Sequence, residues 1–391
     1  MKRMFTVILV LFMVAGSSIH TSRVAAPEQS FEPLAAAEAM PVPDAYEPEA
    51  AIIGIADAGL QAEPEPEPHE PEPEPEPEPA EPEIVGPEVV EIVISAAGDC
   101  ALGGDLRSGS NRFMRELNNQ DGDYSYFLRE VYPVFSTDDL TIVNMEGTFT
   151  ESKRSADKTY ALSAPPELVE IFTSGSVEAV TIANNHTKDY LQKGYDDTVS
   201  VLEDAGIAYF GDEYTAIVDI KGVRIGMFGY TMWWSDKSIK EKIAVSIRAL
   251  RESGADIVIA YYHWGIELDY YPSAYQIDLA HHTVDSGADL VLGSHPHVLQ
   301  GIEEYNGVNI VYSLGNFCFG ANNNPSDKDT MIYRQTFVYT DGELTDVRRN
   351  IIPASISSVK ERNDFQPVIL EGEEAERVLA KIEKYSERLN Q

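Results

Sequence analysis

Cysteine is almost missing from this 391-residue chain, which has only Cys100 and Cys318. One pair cannot staple a disulfide scaffold, so an ordinary apolar core must hold the fold, and buried packing is the expectation for both thiols. Basic residues are also scarce. There are 29 Lys and Arg against 65 Asp and Glu, a net charge of −36. That balance excludes a general nucleic-acid binder, which needs basic surface to replace condensed counterions. It does not exclude an anionic substrate if bound cations invert the local charge. A phosphate-binding Gly-x-x-x-x-Gly-Lys-Ser/Thr loop is absent too, so any role in polymer synthesis or transport needs partners.

Membrane-length apolar runs are lacking as well. Lys2 and Arg3 precede an apolar run from Met4 to Gly16, which suits a signal-peptide core and is short for a spanning helix. Residues 1–26 are therefore read as a signal peptide or membrane anchor, with a small-residue exit near Val24-Ala25-Ala26. The protein is expected to be exported, extracellular or at the cell surface. Residues 27–87 are rich in Glu, Pro and Ala and end in the Glu-Pro alternation of Glu63 to Pro79, which reads as a stiff, solvated acidic spacer. Residues 1–90 hold 18 acidic and 3 basic residues, or −15, which leaves −21 on the rest. Residues 88–391 suffice for one large α/β domain, and no linker-like break divides them.

Within that domain, short β-branched runs alternate with helical stretches. Ile92 to Ala97, Leu140 to Asn144, Ala179 to Ala183, Ile257 to Tyr262 and Leu290 to Gly293 suit central strands. Helices are expected over Tyr126 to Phe135, Pro166 to Ser174, Tyr190 to Ala205, Ile239 to Ser253 and Pro272 to Ser286. Three hairpins are expected to turn at Lys221-Gly222, Asn306-Gly307 and Asp341-Gly342. The stretch Glu371 to Gln391 reads as an amphipathic helix on the domain edge. The pattern predicts an α/β sandwich with mixed sheets, and ligands in such folds gather beyond the carboxyl ends of strands.

Histidine is scarce, with eight in the chain, and its placement is informative. His186, His263, His295 and His297 each follow a short apolar run. Carboxylates Asp99 and Glu146 do the same. The polar stations are Ala97-Gly98-Asp99, Val143-Asn144-Met145-Glu146-Gly147, Ala183-Asn184-Asn185-His186, Tyr262-His263-Trp264-Gly265 and Gly293-Ser294-His295-Pro296-His297. Each alone is ordinary turn or cap chemistry. Five together, at the ends of successive strands, point to a metal site built from imidazole, carboxylate and amide donors. His281-His282 falls inside an expected helix, where packing or exposure is the reading.

The ordered set Gly-Asp, Asn-Met-Glu-Gly, Ala-Asn-Asn-His, His-Trp-Gly-x-Glu, Gly-Ser-His-Pro-His-Val-Leu-Gln and Ser-Leu-Gly-Asn-Phe resembles the CapA family of capsule and poly-γ-glutamate synthesis proteins, over about Ile92 to Phe319. That family is similar in fold to calcineurin-like metallophosphoesterases. The resemblance implies a four-layer α/β sandwich of two mixed β-sheets flanked by helices, with metal between the sheets. It implies Asp99 and His297 on one ion, Asn185, His263 and His295 on the other, Glu146 as bridge and His186 as general acid. The chain departs from the phosphoesterase Asp-x-His pattern, since Cys100 and Ala101 follow Asp99. Asp105 or Cys100 are the candidate substitutes.

The expected cofactor is one or two divalent metal ions, with Mn, Zn, Fe and Mg all suited. Asn184, Glu267, Ser313 and Asn316 are candidates for substrate binding, Glu267 also for orienting water. Trp233, Trp234, Trp264, Tyr270 and Tyr271 are candidates for an aromatic platform. The expected partners are an anionic polymer or phosphoester substrate and membrane-bound capsule synthesis proteins, with no nucleic acid. Two functions fit: a metal-dependent hydrolase of phosphoesterase type, or a non-catalytic metal- and polymer-binding surface component of capsule assembly.

Overall fold

In the strand Ile257–Trp264, Ile257, Ile259 and Tyr261 face one apolar cluster, while Val258, Ala260, Tyr262 and Trp264 face another. This two-residue period marks a strand buried on both sides. The structure is a computed structural model that describes residues 7–10, 87–108 and 111–389. The acidic stretch read as a spacer, residues 27–87, lies outside the described residues except for residue 87 at its end, as does most of the leader.

Two sheets share the first of those clusters. One runs in the order Val7–Val10, Thr215–Ile220, Val223–Met232, Ile257–Trp264, Leu290–Ser294, Val308–Val311, Ile302–Tyr305. The other runs Val368–Ile369, Glu343–Ser355, Asp329–Thr340, Val89–Ala101, Leu140–Met145, Ala179–Thr181, Ala208–Phe210, with Asn316–Phe319 paired beside Val89–Ala101. The middle strands of both are parallel and the outer hairpins antiparallel, so both sheets are mixed. Ile92, Ile94, Leu140 and Ile142 of the second sheet meet Ile225, Met227, Ile257 and Leu290 of the first in one cluster. Full burial of each such side chain is worth about 1.5–3 kcal/mol.

Helices cover the outward faces. Ile243, Ile247 and Leu250 of Lys237–Glu252, with Leu279 and Ala280 of Ala274–Asp285, pack on one sheet. Phe113, Phe127, Phe135 and Phe172 pack on the other. The helix Gly372–Ser386 docks through Val378 and Ile382. All three expected hairpins form, and their turn residues have paired positive φ values: +54° and +83° at Lys221-Gly222, +50° and +80° at Asn306-Gly307, +53° and +84° at Asp341-Gly342. Such turns match the twist of the strands they join. One expected helix is broken. Tyr124–Leu128 is a 3-10 turn capped by Asp123, and a short helix restarts at Tyr132–Phe135, with Pro133 in its first turn, where the missing N–H cannot continue a helix from the preceding turn.

One irregularity aims the site. Val89–Ala101 pairs with Leu140–Met145 through Ala96 and Ile142, and the register resumes at Asp99 and Asn144, an extra residue on the first strand. This bulge turns Asp99 toward the space between the sheets, as bulges beside functional sites do. Gly98 lies in it, where a Cβ would come within 1.8 Å of the Gly315 carbonyl oxygen.

Candidate metal centre

The inward face of several parallel strands is apolar until its carboxyl end. Leu140 and Ile142 give way to Asn144, Ile257, Ile259 and Tyr261 to His263, and Leu290 and Leu292 to Ser294. These polar side chains are fully buried and bonded to one another. Asn144 Nδ2 donates to Asp99 Oδ1 at 2.7 Å and lies 3.4 Å from His263 Nδ1. Ser294 Oγ is 3.1 Å from His263 Nδ1. On the other edge of that ring, His263 Nε2 is 3.0 Å from both Asn185 Oδ1 and His295 Nδ1. Two ring nitrogens and an amide oxygen thus converge on one point.

His295 and His297 have φ of +95° and +57°, conformations uncommon for side chains bearing a Cβ. Backbone outliers of this kind cluster at ligand-holding sites. His295 N donates to Asp99 Oδ2 at 3.3 Å, and His297 Nδ1 lies 3.1 Å from the same oxygen and 2.9 Å from Asn316 Oδ1. Glu146, only 1% exposed, has two carboxylate oxygens with no hydrogen-bond partner. Two imidazole nitrogens approach it, His186 Nε2 at 3.7 Å and His297 Nε2 at 3.8 Å. Donor atoms of Asp99, Glu146 and His297 lie within 4.8 Å of one another, as do those of Glu267, His295 and His297.

A buried carboxylate with both oxygens unsatisfied is costly unless something positive meets it. Burial, then Asp99, pushes the Glu146 carboxyl well up. Burial alone would lower His297, yet Glu146 and Asp99 override it and raise this imidazole to about 10. Burial raises Asp99, but its His297 hydrogen bond and charge bring it down to about 2. A proton on His297 therefore stands where a cation would otherwise balance the charge. Burial, followed for His295 by the His297 charge, keeps His295 down at about 4 and pushes His263 well below the usual range, so both are neutral, the ligand form. The donor set fits divalent cations.

His186 is held from behind. Its Nδ1 lies 2.5 Å from Asp189 Oδ2, and Asp189, fully buried, also pairs with Lys158 and accepts from Leu162 N at 2.6 Å. Lys158 Nζ in turn donates to the Asn185 carbonyl at 2.9 Å. Asn184 is an organiser: its amide donates to Met145 O at 2.8 Å and Asn144 Oδ1 at 3.2 Å, and its oxygen accepts from His186 N. Ser313 is fully buried and bonded to Val298 O and Gly315 N within the following turn. Asn316 pairs with His297, and Glu267 is exposed at the rim.

The two candidate substitutes for the missing histidine lie elsewhere. Cys100 faces the outer apolar cluster with Cys318, both as free thiols, and burial pushes Cys100 up to about 12. Asp105 pairs with Arg107 at 2.6 Å. Of the candidate platform, Trp264 is core, donating to Tyr312 O, while Trp233 lies edge-on to His295 at 4.7 Å and is 40% exposed. Asn144, Ser294 and Asp189 are participants that sequence reasoning did not single out. Strand parity marks the first two, and the spacing of three residues from His186 marks the third.

The sequence profile of the family described as bacterial capsule synthesis protein PGA_cap matches residues 93–321, which include every one of these side chains. The chain belongs to this family. It is 34% identical over 242 residues to the capsule biosynthesis protein CapA of Bacillus anthracis, covering 55% of this chain and 58% of that one. To the PGA biosynthesis protein CapA of Bacillus subtilis it is 32% identical over 238 residues, covering 55% and 62%. A probable polyglutamine synthesis accessory protein of Mycobacterium tuberculosis is 27% identical over 208 residues, covering 45% and 54%. The chain thus spans about three fifths of the length of the first two relatives.

Proposed function

We propose that this capsule-family protein carries a metal-dependent hydrolase site of phosphoesterase type, within a metallophosphoesterase-like four-layer sandwich, and acts outside the cytoplasm. The observation that carries the reading is the Glu146 carboxylate, buried with both oxygens unpartnered between His186 and His297. Asp99, Glu146 and His297 would hold one divalent ion, and Asn185, His263 and His295 a second. Bound there, a cation would supply Lewis acidity, polarising a phosphoryl or carbonyl oxygen and acidifying water.

The remaining work falls to the chain's own residues. His186 faces the site through Nε2 and donates the proton that a leaving oxygen needs. Asp189 fixes its ring from the Nδ1 side, and Lys158 fixes Asp189. Bound cations also explain how an acidic domain accepts an anionic polymer or phosphoester. Export is inferred from Lys2, Arg3 and the apolar run that follows; of that run, Val7–Val10 pairs with the strand Thr215–Ile220. Secretion assays on an epitope-tagged chain test it.

Metal content of the purified protein, followed by a phosphoester screen, tests the site. One or two equivalents with turnover that His186→Ala abolishes would support the hydrolase. The names of the relatives favour a second reading, a non-catalytic metal- and polymer-binding component working with membrane-bound capsule proteins. Bound metal without turnover of any phosphoester would decide for it.

A further inference from the structure

The missing histidine after Asp99 leaves the first ion of the proposed centre with three protein donors, Asp99, Glu146 and His297, of which only one is an imidazole. We infer that Glu267 supplies the missing ligand, so that a carboxylate from a rim loop replaces an imidazole from the strand end. This rests on the metal reading above. Its geometry is independent of that reading: one Glu267 oxygen and a ring nitrogen each of His295 and His297 lie within 4.8 Å of one another. Through His297 this group is continuous with Asp99 and with Glu146, and the buried, unpartnered oxygens of Glu146 point to a cation at the same place.

The loop bearing Glu267 is pinned to the histidine segment. Gly265 has a φ of +89°, and its N–H donates to the Tyr275 hydroxyl at 2.6 Å. Leu268, at a φ of +61°, donates its N–H to the Pro296 carbonyl at 2.8 Å, between the two histidines. Asp269 N closes the turn onto Ile266 O at 3.1 Å. The Leu268 bond to Pro296 thereby holds the loop that bears Glu267 against the segment of His295 and His297, while the exposed side chain of Glu267 is placed to complete a coordination shell.

The chemical consequence is a harder centre. Three carboxylates and an amide oxygen beside three imidazoles favour Mn²⁺ or Fe²⁺ over Zn²⁺ at the carboxylate-rich position, because oxygen donors suit the harder ions. Three negative charges against two divalent cations leave a net positive charge, enough to hold an anionic substrate on an acidic protein.

The test is isothermal titration of the metal-stripped full chain with Mn²⁺, beside Glu267→Gln, Glu267→Asp and, as a control for charge, Glu343→Gln in the far hairpin. A direct ligand predicts a weaker site in Glu267→Gln by roughly 100-fold or more, beyond the about 10–100-fold that loss of an outer-sphere partner brings. It also predicts an altered Mn²⁺ electron paramagnetic resonance spectrum, with Glu267→Asp intermediate and the control unchanged. An affinity and spectrum in Glu267→Gln equal to the parent's would overturn the inference and leave the proposed metal centre standing. A parent that binds no metal would overturn both.

Discussion

Replacing Glu146 by Gln should move stability in opposite directions with and without metal. In chelator, the parent buries a carboxylate with two unpartnered oxygens, 1% exposed and beside Asp99. Such a group costs about 1–3 kcal/mol, more when charged, and the change to an amide removes the charge without losing a hydrogen bond, since there is none to lose. The attraction to His297 at 3.8 Å is lost, which puts the net gain toward the lower end. With about 2 °C per kcal/mol for a domain of this size, Glu146→Gln should melt about 2–4 °C higher than the parent in chelator. Metal at 100 times its dissociation constant stabilises the parent by about 2.7 kcal/mol, or roughly 5 °C, and the variant should lose most of that. Differential scanning calorimetry of both proteins, in chelator and in Mn²⁺, gives the four melting temperatures. A variant that melts lower in chelator and keeps its full metal response would refute the reasoning, because the orphaned oxygens would then serve the fold rather than a cation.

Metal binding should displace the proton that Glu146 and Asp99 hold on His297, which titrates at about 10 in the metal-free site. Affinity should therefore tighten about tenfold per pH unit between pH 7 and 9, and a pH-independent dissociation constant would contradict this. Asp189→Asn should lower phosphoester turnover by about 100-fold or more while metal affinity stays unchanged, since Asp189 touches His186 and not the ligand cluster. Gly98→Ala should destabilise by about 3 kcal/mol in urea denaturation and weaken metal binding, because its Cβ meets the Gly315 backbone and the bulge that turns Asp99 inward must shift. Burial raises the Glu178 carboxyl from 4.5 to about 7. Because the raised value is the folded one, the unfolded chain releases this proton first, so stability falls by up to about 3 kcal/mol as pH rises from 4.5 to 7 and is flat above. In Glu178→Gln that slope should vanish from denaturation curves measured across the window.

The central strands, the three hairpins and the edge helix were legible because each rests on local rules: β-branched runs, Asn-Gly and Asp-Gly turns, and a helical stripe through Val378 and Ile382. The helix expected from Tyr126 to Phe135 is interrupted because Pro133 has no N–H to bond the preceding turn, so the helix starts afresh around it although the apolar spacing runs through. Strands Ala208–Phe210 and Asn316–Phe319 are too short to show a period, and only their pairing partners define them.

The site divides along the same line, and strand parity shows why. Counting in twos from Leu140 and Ile142 reaches Asn144; from Ile257, Ile259 and Tyr261 it reaches His263; from Leu290 and Leu292 it reaches Ser294. Sequence alone therefore contains Asn144 and Ser294, through their strand parity and not through their residue types, which are common at strand ends. Asp99 is different. Counting in twos from Ile92, Ile94 and Ala96 lands on Gly98 and sends Asp99 to the outer face, and only the extra residue of the bulge brings it inward. Nothing in the residue types announces that bulge except Gly98 itself, and its reason lies more than 200 positions away in sequence, in the Gly315 carbonyl against which no side chain fits. Glu267 lies beyond parity altogether. It belongs to a loop whose place is fixed by the Pro296 carbonyl, so its approach to His295 and His297 follows from tertiary contact and from no local pattern.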